Sequence, residues 1–228
     1  MTLIIFVTFL FSILIYHIIF KYKFFPKILL DFPDKIRKKH SLPVPKFGII
    51  FLLPFFILLN FSNSSFEYNI HFLFFCLIFI LVGIFDDIFS IKWILRIFFE
   101  VTFILVYLLL NPELLLKELN FDNLNLQDLT YDNFYFILFI TIFCFVSLVN
   151  ALNFYDGINN QLSNYLIILF VFFFLETTNY LFLVLVIALI IFSLFNFYDK
   201  VYFGSASIYL LTFLIFNFST FYHNEKII

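Results

Sequence analysis

The chain from Asn69 to Asp87 reads NIHFLFFCLIFILVGIFDD, an apolar run that ends in two acidic residues. Residues 69–85 are almost entirely apolar, and a helix of roughly 17–25 apolar residues can cross the hydrocarbon core of a bilayer. Two adjacent carboxylates follow at once. Because a carboxylate at the centre of a membrane helix costs about 2.5–3.5 kcal/mol on insertion scales, we expect Asp86 and Asp87 to lie where this helix meets the membrane surface.

The composition extends this interpretation to the whole chain. Of the 228 residues, 64% are hydrophobic and 12% are charged, whereas a soluble domain carries about 25% charged residues. The sequence therefore predicts an all-α, polytopic membrane protein that forms a single transmembrane domain, residues 1–228. We place eight spanning helices at 3–20, 47–60, 69–85, 91–110, 134–150, 163–175, 178–196 and 206–222.

The basic residues predict the orientation, since cytoplasmic loops carry an excess of Lys and Arg. The loop before the second span holds eight of the 13 basic residues, namely Lys21, Lys23, Lys27, Lys35, Arg37, Lys38, Lys39 and Lys46. Lys92, Arg96 and Lys200 fall on the same predicted face. That face is therefore expected to be cytoplasmic, and an even number of spans places both termini outside. The acidic loop 111–133 becomes an outer loop, with a short surface helix expected at 113–119.

The acid pair is the first candidate for chemistry. Adjacent carboxylates repel each other, and a hard divalent cation such as Mg²⁺ stabilises them best. The plain alternative is a solvated helix end that happens to carry two acids.

A second candidate follows the fifth predicted span. Asn150, Asn153 and Asp156 are spaced three apart and are expected to share a face if the helix continues, with Gly157 as a possible helix end. Amides and a carboxylate suit a sugar, a phosphate or a metal-bound water. An ordinary polar turn between two spans is the alternative.

Two more polar segments fall on the same predicted face. The loop Lys21–Gly48 is strongly cationic and would attract anionic headgroups at roughly 1 kcal/mol per basic residue, or a nucleotide diphosphate, although topology alone also explains it. The segment Asn196–Ser207 carries Asp199 and Lys200. None of the four segments falls in a predicted outer loop, which favours one shared site over scattered polar residues.

Taken in order, these segments resemble the polyprenyl-phosphate N-acetylhexosamine-1-phosphate transferases of glycosyltransferase family 4. The resemblance covers about residues 25–215. The matching segments are Arg37-Lys38-Lys39-His40 with Pro43-Val44-Pro45, then Val82–Asp87 with Ile91, Arg96 and Glu100 downstream, where the family has Lys and Gln for the last two, and then Val149–Gly157.

The resemblance implies a Mg²⁺-dependent enzyme, with Mn²⁺ as the alternative ion, that transfers a sugar-1-phosphate from a UDP-sugar to undecaprenyl phosphate and releases UMP. It implies a bacterial inner-membrane protein of cell-envelope glycan synthesis that contacts membrane lipids, can form a homodimer and binds no nucleic acid. The implied roles are catalysis by Asp86 and Asp87, substrate binding by Arg37, Lys38, His40, Asn150, Asn153 and Lys200, and metal binding by Asp87, Asn153 and Asp156.

The fourth motif departs from the family. Where the family reads Lys-Ile-Phe-Leu-Gly-Asp-Ala-Gly-Ser, this chain has Lys200 to Ile208 with Ser205 for the metal-binding Asp. The chain is also expected to lack the family's His-rich cytoplasmic loop, since it ends at Ile228. Two other functions therefore stay open: an inactive or truncated relative that binds lipid or nucleotide beside an active enzyme, and a transporter-like protein.

Overall fold

The computed structural model describes residues 29–32, 43–59, 70–116, 119–121, 124–126, 134–156 and 160–224, together with residues 6, 9, 10, 13, 14 and 17. Seven α-helices lie in these ranges: α1 Ile49–Leu59, α2 Ile70–Phe89, α3 Trp93–Leu110, α4 Phe134–Tyr155, α5 Gln161–Thr177, α6 Tyr180–Phe197 and α7 Gly204–Asn224. They correspond to seven of the eight predicted spans, and the predicted helix at 3–20 falls mostly outside the described residues. The helical fold class is confirmed.

Five of the described helices, α2, α3, α4, α6 and α7, are long and apolar enough to cross a membrane. Helix α5 is apolar but has 17 residues, and α1 has 11 residues with Pro54 inside it. The number of spans, the position of the termini and the side on which each loop lies stay predictions.

Helix α7 is the centre of the bundle, and nearly all of its side chains are buried. It packs chiefly against α2 and α4, and also contacts α1. Gly83 lets the backbones of α2 and α7 come into close contact, because a Cβ at this position would lie 2.3 Å from the Cα of Ala206. The last turns of α2 therefore meet the first turn of α7 backbone to backbone.

Short strands flank the bundle and were not predicted. Strand β1, Leu30–Asp31, pairs antiparallel with β2, Val44–Pro45. Lys46 then bridges Tyr202 in parallel, and the Tyr202 amide donates to the Pro45 carbonyl at 2.9 Å. These contacts hold the segment before α1 against the segment before α7.

The predicted surface helix at 113–119 is wrong. A single 3-10 turn at Pro112–Leu114 is followed by an antiparallel pair of strands, β3 Leu119–Phe121 and β4 Leu124–Leu126. Pro112 starts the short turn. The Asn224 side chain at the end of α7 donates to the carbonyl of Glu113 at 2.8 Å, which ties this loop to the end of the bundle opposite β1 and β2.

Two helices continue four and five residues past their predicted ends, and this changes the setting of the polar residues. Helix α2 continues to Phe89 rather than ending at 85, and α4 continues to Tyr155 rather than 150. Asp86 and Asp87 therefore lie within the last turns of α2 and are only 7% and 8% exposed. The solvated helix end considered for this pair is excluded, because helical structure and packing against α7 keep both carboxylates from water.

Candidate functional site

The acid pair of α2 contacts two different elements. The Asp86 Oδ2 atom accepts hydrogen bonds from the Ser205 hydroxyl at 2.8 Å and from the Arg96 guanidinium at 3.2 Å. The Asp87 Oδ2 atom accepts a longer hydrogen bond, 3.3 Å, from the Ala206 amide. Adjacent residues of a helix point about 100° apart. Asp86 is consequently held between α3 and α7, while Asp87 faces the start of α7.

Asp156, the first residue after α4, joins the acid pair from the other side. Burial and, to a smaller extent, the negative charge of Asp87 raise the pKa of its carboxyl to about 8, although the backbone amides of Gly204 and Phe203 and the charge of Lys46 oppose this rise. A carboxylate influences another in this way only at short range. The ends of α2 and α4 thus bring two acids together across the segment that precedes α7.

Lys46 supplies a cation to these acids. Its charge interacts with both Asp87 and Asp156, and its ammonium lies 3.5 Å from the Asp31 carboxylate. Gly204 allows this arrangement, because a Cβ there would lie 2.9 Å from Asp87 Oδ2 and 3.0 Å from Lys46 Cβ. The backbone of Gly204 also has a positive φ of 71°, which favours glycine.

The sequence places Lys46 among the basic residues that determine the topology and does not assign it to the site. A lysine just before an apolar run is expected from the positive-inside rule alone. The residues around Lys46 do not indicate that pairing of β1 with β2 places its side chain near the acids. The missed residue is therefore one that the tertiary contacts select.

Tyr202 and Asp199 form a more exposed pair beside this group. The Tyr202 hydroxyl donates to Asp199 Oδ1 at 3.1 Å. Burial raises the pKa of Tyr202 above its ordinary value, and the charges of Asp199, Asp31 and Asp156 raise it further. Three acids thus surround one phenol. Asp199 itself is exposed, so it lies on the solvent side of the acid group, which consists of Asp86, Asp87 and Asp156.

The remaining predicted residues are placed differently. Asn150 is exposed and donates to the Val146 carbonyl of its own helix at 2.8 Å, whereas Asn153 and Asp156 are partly buried. Three residues of an α-helix turn about 60° less than a full turn. Positions 150 and 156 therefore point about 120° apart and do not form one row. Lys200 is exposed beyond α6. Arg37, Lys38, His40 and Gly157 lie outside the described residues.

A buried polar row continues from Asp86 into the bundle. Arg96 and Glu100 lie one turn apart on α3, and Ser205 and Tyr209 lie one turn apart on α7. The Tyr209 hydroxyl donates to Glu100 Oε1 at 2.7 Å. Glu100 is 2% exposed, and its Oε2 atom has no hydrogen-bond partner within the described part of the chain. Sequence reasoning noted Glu100 but could not identify its partner on α7.

Asp87 and Asp156 are the candidate protein ligands for Mg²⁺. Across the described ranges, no three His, Cys, Asp or Glu side chains are grouped closely enough to hold a metal alone. Mg²⁺ usually takes only one or two protein carboxylates and completes its shell with water and substrate phosphates. Asp87 and Asp156 fit this second pattern, because they would supply two carboxylates and leave the rest of the shell to water and phosphate oxygens.

The greater part of the chain matches a known protein family. The sequence profile described as Glycosyl transferase family 4 matches residues 69–223, which include the acid pair, Asp156 and α7 up to His223. No curated protein matches the chain significantly.

Proposed function

Because the chain belongs to glycosyl transferase family 4, we propose that it transfers N-acetylhexosamine-1-phosphate from a UDP-sugar to undecaprenyl phosphate. The family supports transfer of a sugar phosphate to a polyprenyl phosphate at a general level, and the apolar helices support a membrane location. One observation carries the proposal to this chain: Asp87, Asp156 and Lys46 meet at one end of the bundle.

The proposed reaction needs charge control more than proton transfer. A phosphate monoester has a second pKa of about 6 and is mostly dianionic at neutral pH, so the acceptor needs no base to become a nucleophile. Its oxygen attacks the sugar-side phosphorus of the UDP-sugar, the bond from that phosphorus to the bridging oxygen breaks, and UMP leaves. The difficulty is that two anions must approach each other.

The residues of the site answer this difficulty in different ways. Lys46 provides a positive charge beside Asp87 and Asp156, where a pyrophosphate would bind. Asp87 and Asp156 would hold Mg²⁺ jointly with phosphate oxygens, and the bound ion would neutralise charge that develops in phosphoryl transfer. Asp86 is engaged by Ser205 and Arg96, so we assign it a positioning role on α2.

The proposed location follows from the solubility of the two substrates. A UDP-sugar is water-soluble and the acceptor is anchored in lipid, and the acid group lies at the ends of membrane-type helices. We place this end at the cytoplasmic face of a bacterial inner membrane, in cell-envelope glycan synthesis.

A matched lysine pair tests the proposal. The purified chain with Mg²⁺ or Mn²⁺, undecaprenyl phosphate and UDP-N-acetylglucosamine is expected to release UMP. Lys46→Met should lower the rate at least tenfold, since it removes the charge beside the acids, whereas Lys200→Met should leave it nearly unchanged because Lys200 is exposed. The opposite result, with Lys200 essential and Lys46 dispensable, would contradict the role of Lys46 and support Lys200, which the sequence predicts to bind substrate.

Ser205 supports a second candidate function. Its neutral hydroxyl bonds to Asp86 at the position where the resembled family has a metal-binding acid, so a relative that binds substrates without turnover is also compatible with the site. Binding of UDP-sugar without UMP release, with several UDP-sugars and both metals, would select this function.

A further inference from the structure

Two sets of carboxylates attract the Lys46 ammonium. It lies 3.5 Å from the Asp31 carboxylate, and its charge also interacts with Asp87 and Asp156. Within the described ranges, its ion pair is with Asp31 and with neither of the two candidate Mg²⁺ ligands. The position of this ammonium therefore depends on which carboxylate holds it.

Strand pairing brings Asp31 to Lys46. Asp31 lies opposite Val44 in the register of β1 and β2, and the Lys46 amide donates to the Leu29 carbonyl at 2.9 Å. Because side chains alternate between the two faces of a strand, Asp31, Val44 and Lys46 project from the same face of the pair. Asp31 is 7% exposed and Val44 is 1% exposed, so this is the buried face. The ion pair between Asp31 and Lys46 is thus built into the strand register.

The lysine side chain is long enough to reach Asp87 instead. A Cβ placed on Gly204 would lie 2.9 Å from Asp87 Oδ2 and 3.0 Å from Lys46 Cβ, so the Asp87 carboxylate lies close to the base of the lysine side chain. A lysine carries its ammonium on a flexible stem of four carbons. Without Asp31, a change of rotamer would let Lys46 form its ion pair with Asp87.

We propose that Asp31 is a positioning residue that holds the Lys46 ammonium away from Asp87 and so keeps this carboxylate available to Mg²⁺. The proposal rests on the proposed function, because that function assigns Mg²⁺ to Asp87 and Asp156. A lysine paired with Asp87 competes with the metal for the same oxygen atoms. Held by Asp31, the same lysine adds positive charge beside the site and leaves those oxygen atoms to the ion.

A double-mutant cycle between Asp31 and Lys46 tests this role without turnover. The full chain is purified in a non-ionic detergent, and Mg²⁺ binding is measured by displacement of Mn²⁺, followed through the EPR signal of free Mn²⁺. Asp31→Asn should weaken Mg²⁺ binding about tenfold, equivalent to about 1.4 kcal/mol, because Lys46 then pairs with Asp87. In a chain that already carries Lys46→Met, Asp31→Asn should have little effect.

The two backgrounds decide between positioning and other roles of Asp31. An equal loss of Mg²⁺ affinity with and without Lys46 would overturn the proposal, because Asp31 would then act through its own charge or through the fold. A chain that binds no Mg²⁺ would overturn it as well. Normal Mg²⁺ affinity in the double variant would show that the strand pair tolerates asparagine at position 31.

Two further substitutions provide controls. Asp31→Glu keeps a carboxylate beside Lys46 and should retain most of the Mg²⁺ affinity. Asp199→Asn removes an exposed carboxylate that accepts a hydrogen bond from Tyr202, and it should leave Mg²⁺ binding nearly unchanged. A loss on Asp199→Asn as large as that on Asp31→Asn would indicate a general effect of acidic charge and contradict the proposal.

Activity separates this proposal from the proposed function. With UMP release as the readout, Asp31→Asn should raise the Mg²⁺ concentration for half-maximal rate by the same factor, and saturating Mg²⁺ should restore the maximal rate. Coupling of Asp31 to Lys46 in Mg²⁺ binding, without UMP release from any UDP-sugar, would retain the role of Asp31 and reject the transferase. UMP release without this coupling would retain the transferase and reject the role of Asp31.

Discussion

Replacing Ser205 by Asp should make the stability of the protein depend on Mg²⁺. The Ser205 hydroxyl donates to Asp86 Oδ2 at 2.8 Å and is 9% exposed. The substitution removes this donor and puts a second carboxylate against Asp86. Arg96, which already donates to the same Asp86 oxygen, can compensate only one of the two charges.

The size of the effect follows from the contact. Two unit charges about 4 Å apart repel by about 4 kcal/mol at an effective dielectric constant near 20, and a lost hydrogen bond to a charged group adds about 1.5–3 kcal/mol. After partial compensation by Arg96, we expect a net loss of about 3–5 kcal/mol for Ser205→Asp. Ser205→Ala loses only the hydrogen bond and serves as the control, with an expected loss of about 1.5–3 kcal/mol.

Thermal unfolding in nanodiscs measures the effect directly. Without divalent ions, Ser205→Asp should unfold on the order of 10 °C below the unsubstituted chain, since 1 kcal/mol corresponds to roughly 2–4 °C at this size. Mg²⁺ at 100 times its dissociation constant should return about 2.7 kcal/mol, and it should shift Ser205→Ala less. If Ser205→Asp were as stable as the unsubstituted chain in chelator and indifferent to Mg²⁺, the proposed geometry around Asp86 would be refuted.

Three further predictions follow from other contacts. Gly83→Ala should lower the free energy of unfolding by about 1–3 kcal/mol or more, and the thermal midpoint with it, because its Cβ would lie 2.3 Å from the Ala206 Cα. An unchanged midpoint would contradict the close helix contact. Because the pKa of Asp156 is raised to about 8, the folded chain retains a proton that the unfolded chain loses near pH 4. Stability without metal should therefore fall as pH rises from about 4 to 8. Asp156→Asn should flatten this pH dependence in chemical unfolding, and an equal slope in both proteins would count against the raised pKa. Glu100→Gln should keep the Tyr209 hydrogen bond and be neutral or stabilising in thermal unfolding, since Glu100 Oε2 has no partner among the described residues, whereas a large loss would show that the buried charge is required.

Much of the architecture can be predicted from the amino-acid sequence. Long apolar runs predict helices because backbone groups in lipid must be satisfied within the segment, and seven of the eight runs correspond to described helices. The order of the polar segments was also sufficient to indicate the family, which the profile match confirms. The ends of the helices were less predictable, because α2 and α4 continue through polar residues that hydropathy alone assigns to loops.

The composition of the polar site depends on contacts between distant segments. Asp87 lies against the start of α7 because Gly83 and Ala206 let α2 and α7 touch and Gly204 leaves room for its carboxylate, and the distance between packed helices depends on the side chains at such contacts. Lys46 enters the site through strand pairing that hydropathy does not record. Local pattern thus specifies which helices form and which polar residues are available, while close packing selects the few that meet, because electrostatic and hydrogen-bond interactions act over distances of a few ångströms.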